Sequence, residues 1–194
     1  MKVVIDGTIG SGKSTVLKGL ASSGFPVFLE PIESWTPMMD MYYKEPKKYA
    51  FMVNSVCMND LFHRDSEKVI ECSFYERSIH SSFHIFQEMS FRMGHVNLSE
   101  FEFSRRVYRR LAEKQPASDM VFLWIDVSPE IARKRIVERG TSEMSCEDIS
   151  YFTDITRRYK EYYQEGNNKV IRIDGDQTPE KVLKDVLEAV KTFL

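Results

Sequence analysis

The chain has 194 residues, of which 42% are hydrophobic, and its 27 basic and 29 acidic side chains leave a formal net charge of −2. This size predicts one domain, 1–194, with a sizeable core. The balanced charge excludes a strongly basic surface for nucleic acid or anionic membrane. Since no apolar run approaches the roughly 20 residues of a membrane helix, we expect no membrane span. No signal segment precedes the first strand, and the three cysteines form no paired motif, so a cytoplasmic protein with buried free thiols is expected.

Short apolar runs alternate with longer helical patterns along the chain. Five runs rich in Val, Ile and Phe predict buried strands, because nearly continuous apolar character is typical of parallel sheets covered on both faces. Ser128-Pro129-Glu130 and Thr178-Pro179-Glu180 each resemble a helix start, with a hydroxyl residue at the N-cap. The alternation predicts an α/β fold with a five-stranded parallel sheet flanked by helices. The predicted strands are 3–6, 27–30, 69–74, 120–126 and 170–174, and the predicted helices are about 13–22, 36–64, 77–91, 99–114, 129–139, 148–164 and 178–192.

A glycine-rich segment, GTIGSGKS at 7–14, directly follows the first predicted strand. Its glycines let the backbone wrap around phosphate oxygens, and the next helix adds its positive end. Lys13 can reach the β- and γ-phosphates, and the Ser14 hydroxyl can ligate Mg²⁺. This P-loop predicts a nucleoside triphosphate as the phosphate donor, and ATP is the expected one. The predicted nucleotide-binding residues in it are Gly7, Thr8, Ile9, Gly10, Ser11, Gly12, Lys13, Ser14 and Thr15.

The P-loop alone does not define the reaction. A GTPase would need a guanine-reading NKxD motif, which the sequence lacks. A motor-type ATPase would have an acidic residue at a strand end, and Asp126 could serve as one. A carboxylate that caps the turn before Ser128 explains Asp126 equally well.

Two further strand ends carry a carboxylate, an arginine and an aromatic residue. Glu30 ends the second predicted strand, with Trp35 close behind, and Glu76-Arg77 follows the third. A carboxylate there can accept a proton from an attacking hydroxyl, and an adjacent arginine can hold it in place. Aromatic side chains can form a flat pocket for a base. Alone, Glu30 would suggest a surface salt bridge, but with the P-loop these segments favour a kinase acting on a nucleoside-like acceptor.

On these motifs the sequence resembles the deoxyribonucleoside kinase family, which includes cellular deoxycytidine, deoxyguanosine and mitochondrial thymidine kinases, insect enzymes of broad specificity and shorter viral members. The resemblance spans most of the chain in the family's order, and it implies a three-layer P-loop kinase fold. The matching segments are GTIGSGKST at 7–15, EP followed by W at 30–35, YYKEPKKYAF at 42–51, ERSIHS at 76–81 and the arginine-bearing segment 129–143.

The resemblance implies roles for single residues around the reacting groups. Glu30 would accept the proton of the 5′-hydroxyl, and Arg77 would orient Glu30. Glu76 and Ser14 would hold Mg²⁺. Tyr43 would hydrogen-bond the sugar 3′-hydroxyl.

The resemblance also implies the residues that contact the base. Trp35 and Phe86 would contact or stack on it. Asn54 stands where the family usually has a glutamine that pairs with the base edge, although an ordinary polar residue is the alternative. Leu61 and Ser82 stand where deoxycytidine and purine kinases carry an arginine and an aspartate. This apolar space predicts a pyrimidine preference with thymidine accepted well, and with weak discrimination.

Arginines after the fourth strand resemble the family's lid, about 133–147. Arg135 and Arg139 match the lid positions that neutralise the transferred phosphoryl group, whereas Arg133 does not. The residue that contacts the sugar 3′-hydroxyl falls at Met144, or at Glu143 if the register shifts by one.

The loop after the fifth strand lies near the ATP base in the resembling enzymes. It contains Asp174 and Asp176, although the bare sequence shows only a polar turn. The family also forms homodimers, and we expect one here through the long helices at about 46–64 and 77–91. The rival hypotheses are a thymidylate kinase, which would lack a hydroxyl base, and a non-catalytic nucleotide-binding subunit.

Overall fold

The computed structural model describes residues 1–66, 72–140, 148–165 and 168–193. Its five strands are β1 Lys2–Asp6, β2 Val27–Phe28, β3 Ser73–Glu76, β4 Met120–Asp126 and β5 Lys169–Asp174. They form one parallel sheet in the order β2-β3-β1-β4-β5. The predicted α/β fold with a five-stranded parallel sheet is confirmed.

Helices cover both faces of this sheet. The fourth helix contains a π-helical turn at Ser82–Gln87, a feature that is frequent at functional sites. Within the described ranges, no helix combines the length and the apolar character needed to cross a membrane. The helices are α1 Lys13–Ser22, α2 Ile32–Lys44, α3 Pro46–Arg64, α4 79–92, α5 Leu98–Lys114, α6 Pro129–Arg139, α7 Ile149–Glu165 and α8 Pro179–Lys191.

The third strand differs from its prediction. The apolar run 69–74 predicted a strand that ends before Tyr75, whereas β3 runs from Ser73 to Glu76, and 69–71 lie outside the described residues. β3 is aligned by pairing with central β1, which places Glu76 opposite Ile5. Pairing with the neighbour therefore decides where this strand ends. The consequence is that Glu76 belongs to the strand and is only 5% exposed.

The predicted long helix 36–64 is wrong as one element, because the chain breaks it at Glu45. Glu45 has φ −136° and ψ 71°, a non-helical conformation. The ring of Pro46 clashes with a helical residue before it, while Pro46 itself fits the first helical position. The outcome is two helices that pack together, with buried Trp35 of α2 against Val53 and Cys57 of α3.

The apolar core has a layer on each face of the sheet. Val3 and Ile5 face α1 and α8, while Val4 on the opposite side faces α4 and α7. This alternation follows from the period of two along a strand. Asp6 shares the second side with Val4, so a carboxylate points into the layer formed with α7.

The two predicted helix starts behave differently. The Thr178 hydroxyl accepts a hydrogen bond from the Lys181 N–H, as predicted for an N-cap. Ser128 occupies the N-cap of α6, but its hydroxyl does not accept a hydrogen bond from a backbone N–H of that helix. Its own N–H instead donates to Asp176 Oδ1 at 2.8 Å, which ties α6 to the loop after β5.

Two of the cysteines lie in described segments, and both are free thiols. Cys57 is buried, as expected, whereas Cys72 is half-buried. Cys146 lies outside the described residues.

Candidate active site

A cavity of about 800 Å³ lies at the carboxyl edge of the sheet, where ligands bind in folds of this class. It extends from the phosphate loop to the space between α2, α3 and α4. The structure thereby brings most of the predicted site residues together around one volume. The predicted donor residues that line it are 9–15, Arg135 and Arg139, and the predicted acceptor residues are Glu30, Trp35, Tyr43, Asn54, Leu61, Glu76, Arg77, Ser82 and Phe86.

The phosphate loop keeps its shape through glycines. Gly10 has φ 80°, and a Cβ atom there would lie 2.5 Å from the Ala132 carbonyl oxygen, so only glycine fits. Lys13 Nζ donates to the carbonyls of Gly7 at 3.1 Å and Thr8 at 3.0 Å, which holds the ammonium inside the loop. Burial, and next the Arg77 cation, lower the pKa of Lys13 to about 8.

Ser14 and Glu76 form a pair of oxygen donors beside the loop. The Ser14 hydroxyl donates to Glu76 Oε1 at 2.9 Å, and both residues line the cavity. No cluster of three or more candidate metal ligands exists among the residues described. Mg²⁺ usually takes one or two protein oxygens and completes its shell with phosphate and water. The two donors therefore fit Mg²⁺ held jointly with a triphosphate.

Glu30 and Arg77 form a buried ion pair. Arg77 Nε lies 3.2 Å from Glu30 Oε1, and the side chains are only 7% and 11% exposed. Burial raises the pKa of Glu30, while the Arg77 guanidinium opposes that rise. The Glu30 N–H also donates to Glu76 Oε2 at 3.3 Å. The carboxylate therefore has a fixed cationic partner and little contact with bulk water.

Arg77 has an unusual backbone conformation that aims its side chain. It is the single non-glycine with positive φ (57°) in the described part of the chain. Such a conformation persists only where the surroundings hold it. Its N–H donates to the Ile5 carbonyl at 3.1 Å, and its guanidinium lies 4.3 Å from the centre of the Phe86 ring.

Arg64 is a site residue that sequence reasoning missed. Its Nη1 donates to the Glu76 carbonyl at 2.7 Å and its Nη2 to the Arg77 carbonyl at 2.9 Å. Asp65 accepts from Arg64 Nε at 2.7 Å and fixes the guanidinium at the end of α3. This clamp holds the backbone that carries both functional side chains. No sequence signal marks it, because Arg64 binds main-chain oxygens of a segment far along the chain.

The far end of the cavity is largely apolar, with a few placed polar groups. Trp35 is 2% exposed, and its indole N–H donates to Asp60 Oδ2 at 2.9 Å. Asn54 Nδ2 donates to Ser90 Oγ at 3.0 Å, which fixes the amide against α4. Leu61 and Ser82 both line this end. Ser90 is a second residue that the sequence analysis missed.

Arg135 joins the phosphate loop to the loop after β5. Its Nη2 donates to the carbonyls of Gly175 at 2.9 Å and Gln177 at 3.1 Å, and its Nη1 approaches the Ser11 carbonyl at 3.4 Å. Arg139 lines the cavity one turn further along α6. The predicted sugar contacts at Glu143 and Met144 lie outside the described residues.

Asp174 and Asp176 organise a turn and do not line the cavity, whereas their neighbour Gln177 does. Asp174 Oδ1 accepts from the Asp176 N–H at 3.0 Å, and Asp176 binds the start of α6 as described above. Asp126 pairs with Arg172 of the adjacent strand at 2.7 Å, so its carboxylate stabilises neighbouring β-strands.

A phosphate loop after the central strand, with a buried carboxylate and arginine in the same cavity, defines a nucleotide-binding P-loop phosphotransferase. The family model for deoxynucleoside kinases matches residues 3–194. The chain therefore belongs to the deoxynucleoside kinase family and is an enzyme of that kind.

Similar proteins come from viruses and bacteria. The chain is 25% identical over 189 residues to a probable deoxycytidine kinase of fowlpox virus, covering 90% of this chain and 79% of that protein. It is 27% identical over 208 residues to the deoxyadenosine kinase of Lactobacillus acidophilus, covering 97% and 96%. A deoxyadenosine kinase of M. mycoides with bound dCTP superposes with a TM-score of 0.87 over 100% of both chains at 22% identity. This last likeness supports the fold.

Proposed function

We propose that this kinase transfers the γ-phosphoryl group of ATP to the 5′-hydroxyl of a pyrimidine deoxynucleoside, with thymidine favoured. The observation that carries the reaction is the Glu30–Arg77 ion pair, buried in the same cavity as Lys13 and the phosphate loop.

In the proposed reaction, Glu30 accepts the proton of the 5′-hydroxyl as its oxygen attacks the γ-phosphorus, and ADP leaves. Arg77 keeps the carboxylate ionised and aimed at the hydroxyl. Lys13, Arg135 and Arg139 neutralise charge on the transferred group, which is the main protein contribution in phosphoryl transfer.

Mg²⁺ has a proposed place between the Ser14 hydroxyl and the Glu76 carboxylate. When bound there with ATP, it would neutralise the β- and γ-phosphate oxygens. The Ser14 hydroxyl and the Glu76 carboxylate, which are hydrogen-bonded to each other, are the residues that would hold the ion.

The pyrimidine preference rests on the far end of the cavity. Leu61 and Ser82 provide an apolar surface and a small hydroxyl, which leave space for the thymine methyl group. Trp35 and Phe86 supply aromatic surface for the base, and Asn54 offers one donor and one acceptor to its edge.

Tyr43 is the proposed partner of the sugar 3′-hydroxyl, and so is Glu143, which lies outside the described residues. Asp174 and Asp176 are proposed to support the ATP base through the position of Gln177.

The test compares kcat/KM for thymidine, deoxycytidine, deoxyadenosine and deoxyguanosine with ATP and Mg²⁺. We expect both pyrimidines to be used better than both purines, with thymidine ahead of deoxycytidine by about tenfold to two-hundredfold, because one methyl group is worth about 1–3 kcal/mol. A strong purine preference would overturn the specificity. Thymidylate is assayed in parallel, and its efficient phosphorylation would favour the alternative of a thymidylate kinase.

A homodimer is the proposed assembly, with a revised surface. The apolar side chains of α4, which the sequence analysis placed in the interface, are largely buried within the chain, as Phe83 and Ile85 illustrate. Exposed apolar side chains occur instead on α3 and α5, with Met52 37%, Val56 36% and Phe103 58% exposed. Light scattering on the wild type and on Phe103→Asp tests this: a dimer that becomes a monomer is expected. The cytoplasmic location stays a prediction.

A further inference from the structure

Tyr159 of α7 lies between the Arg77 guanidinium and the start of the phosphate loop. Arg77 Nη1 is 3.0 Å from the Tyr159 hydroxyl oxygen, and the same hydroxyl is 2.8 Å from Asp6 Oδ1. Asp6 Oδ1 also accepts the N–H of Gly7 at 2.8 Å. Tyr159 is 1% exposed and Asp6 is fully buried, so bulk water does not compete for these groups.

The direction of each hydrogen bond in this chain is fixed by chemistry. A guanidinium only donates and an ionised carboxylate only accepts, so the Tyr159 hydroxyl accepts from Arg77 and donates to Asp6. Burial, with the nearby Asp6 carboxylate adding to it, raises the pKa of Tyr159 well above its ordinary value, so the hydroxyl keeps its proton at working pH.

Three contacts then determine where the Arg77 guanidinium lies. Its Nε lies 3.2 Å from Glu30 Oε1 as an ion pair without a hydrogen bond, its Cζ lies 4.3 Å from the centre of the Phe86 ring, and its Nη1 donates to Tyr159. The ion pair and the ring contact are weakly directional, so neither fixes the rotation of the guanidinium. The directional hydrogen bond to Tyr159 is therefore the contact that fixes the angle at which Arg77 meets Glu30.

We infer that Tyr159 is a positioning residue for phosphoryl transfer, which sets the orientation of Arg77 toward Glu30 and links it through Asp6 to the phosphate loop. This inference rests on the proposed roles of Glu30 and Arg77. Tyr159 lies on α7, far along the chain from Glu30 and Arg77. Through Tyr159 and Asp6, one hydrogen-bonded network connects Arg77 on the acceptor side with Gly7 at the start of the phosphate loop.

Tyr163 provides a matched control on the same helix. Its hydroxyl donates to the other oxygen of Asp6, Oδ2, at 2.8 Å, and its side chain is 5% exposed. Removing either hydroxyl takes one hydrogen bond from the same buried carboxylate. Only the loss at Tyr159 also removes the partner of Arg77.

The experiment compares Tyr159→Phe and Tyr163→Phe by single-turnover phosphoryl transfer, with the enzyme in excess over the best of the four deoxynucleosides. Tyr159→Phe should lower the transfer rate about tenfold to a hundredfold, because small misplacements of catalytic groups carry costs of this size. Its KM for nucleoside should change less than about threefold, since the lost bond orients a group and does not bind substrate. Tyr163→Phe should stay within about twofold. Both variants should lose thermal stability, and Tyr159→Phe should lose more, because it gives up the bonds to Asp6 and Arg77 whereas Tyr163→Phe gives up only one bond to Asp6.

The separation of kcat from KM gives a second readout. A merely structural loss would not slow transfer while leaving the KM for nucleoside nearly unchanged, as is expected of Tyr159→Phe only. If Tyr159→Phe is too unstable to assay, 3-fluorotyrosine at position 159 keeps the shape but weakens the oxygen as an acceptor. It should also slow transfer.

Equal rate losses in the two tyrosine variants would overturn the inference. They would show that the loss comes from the weakened support of Asp6 for the phosphate loop, and not from the contact between Tyr159 and Arg77. A wild-type transfer rate in Tyr159→Phe would overturn it as well. Glu30→Gln serves as a separate arm: if that variant remains active, the proposed function fails, whereas an inactive Glu30→Gln beside an unaffected Tyr159→Phe removes only the role of Tyr159.

Discussion

The donor and acceptor sides of the cavity are built in opposite ways. The proposed donor side comes mainly from one continuous segment, 7–15, which carries Lys13, with Arg135 and Arg139 added from α6. The acceptor side needs Glu30 after β2, Arg77 after β3 and supporting groups from two helices. A site assembled from distant segments depends on residues that touch no substrate. Substitutions on the acceptor side should therefore change the kinetics with the nucleoside and leave the KM for ATP nearly unchanged.

Replacing Glu30 by Gln should have the largest effect. The amide keeps the shape but cannot accept the proton, so kcat should fall by about 10²- to 10⁴-fold, the usual contribution of a general base. The KM for ATP should change little, because the phosphate loop is untouched. Steady-state kinetics with both substrates measures this, with Glu33→Gln on the exposed side of α2 as the control. A kcat within tenfold of wild type would exclude Glu30 as the base.

The two sides should also respond to opposite ends of the pH scale. Burial raises the pKa of Glu30, so the base is lost as pH falls, and kcat/KM for nucleoside should drop about tenfold per unit below a pKa higher than that of an ordinary glutamate. Lys13 has a pKa lowered to about 8, so the loop loses its cation as pH rises, and kcat/KM for ATP should decline above about pH 8.

Profiles for each substrate from pH 4.5 to 9.5 check both limbs. The acid limb should disappear from the residual activity of Glu30→Gln, which has no carboxylate to protonate. An acid limb that persists unchanged in that variant would contradict its assignment to Glu30.

Arg64→Lys should sharpen the comparison further, because Arg64 acts on the acceptor side without lining the cavity. One ammonium cannot hold the carbonyls of Glu76 and Arg77 together as the two guanidinium nitrogens do. We expect kcat to fall about five- to tenfold, with a stability loss of about 1–3 kcal/mol. Arg105→Lys, at a surface ion pair with Glu102, is the matched control. A rise in the KM for ATP with unchanged kcat would place the effect on the donor side instead.

Ser90→Ala should give the smallest effect. It removes the acceptor that fixes the Asn54 amide, so the amide gains freedom and the KM for nucleoside should rise about three- to fivefold, equivalent to about 1 kcal/mol. The KM for ATP should not change. Ser55→Ala on the same helix as Asn54 is the control, because the Ser55 hydroxyl donates only to its own helix at Phe51. Identical kinetics for the two variants would show that Asn54 needs no anchor.

Residues close together in sequence explain most of what could be predicted. The glycine pattern of the phosphate loop follows from local backbone geometry, so the loop and its place after β1 were predicted correctly, as were the helices at 13–22 and 129–139. Pro46 was a sequence signal for the break between α2 and α3, but the helical spacing of apolar residues over 36–64 led to the prediction of one helix. The third strand carried none, because its end is set by pairing with β1.

The sequence by itself determined the fold class, the phosphate loop and the identity of the Glu30 and Arg77 pair, since each depends on a short segment with its own conformational preference. Only the tertiary structure decided what holds that pair. Arg64 and Tyr159 reach Arg77 from α3 and α7, and Asp6 reaches Tyr159 from β1. Such contacts join segments up to 153 residues apart. They form only when the sheet order brings β1 beside β3 and packs α7 over them, a consequence of strand pairing that no local pattern contains.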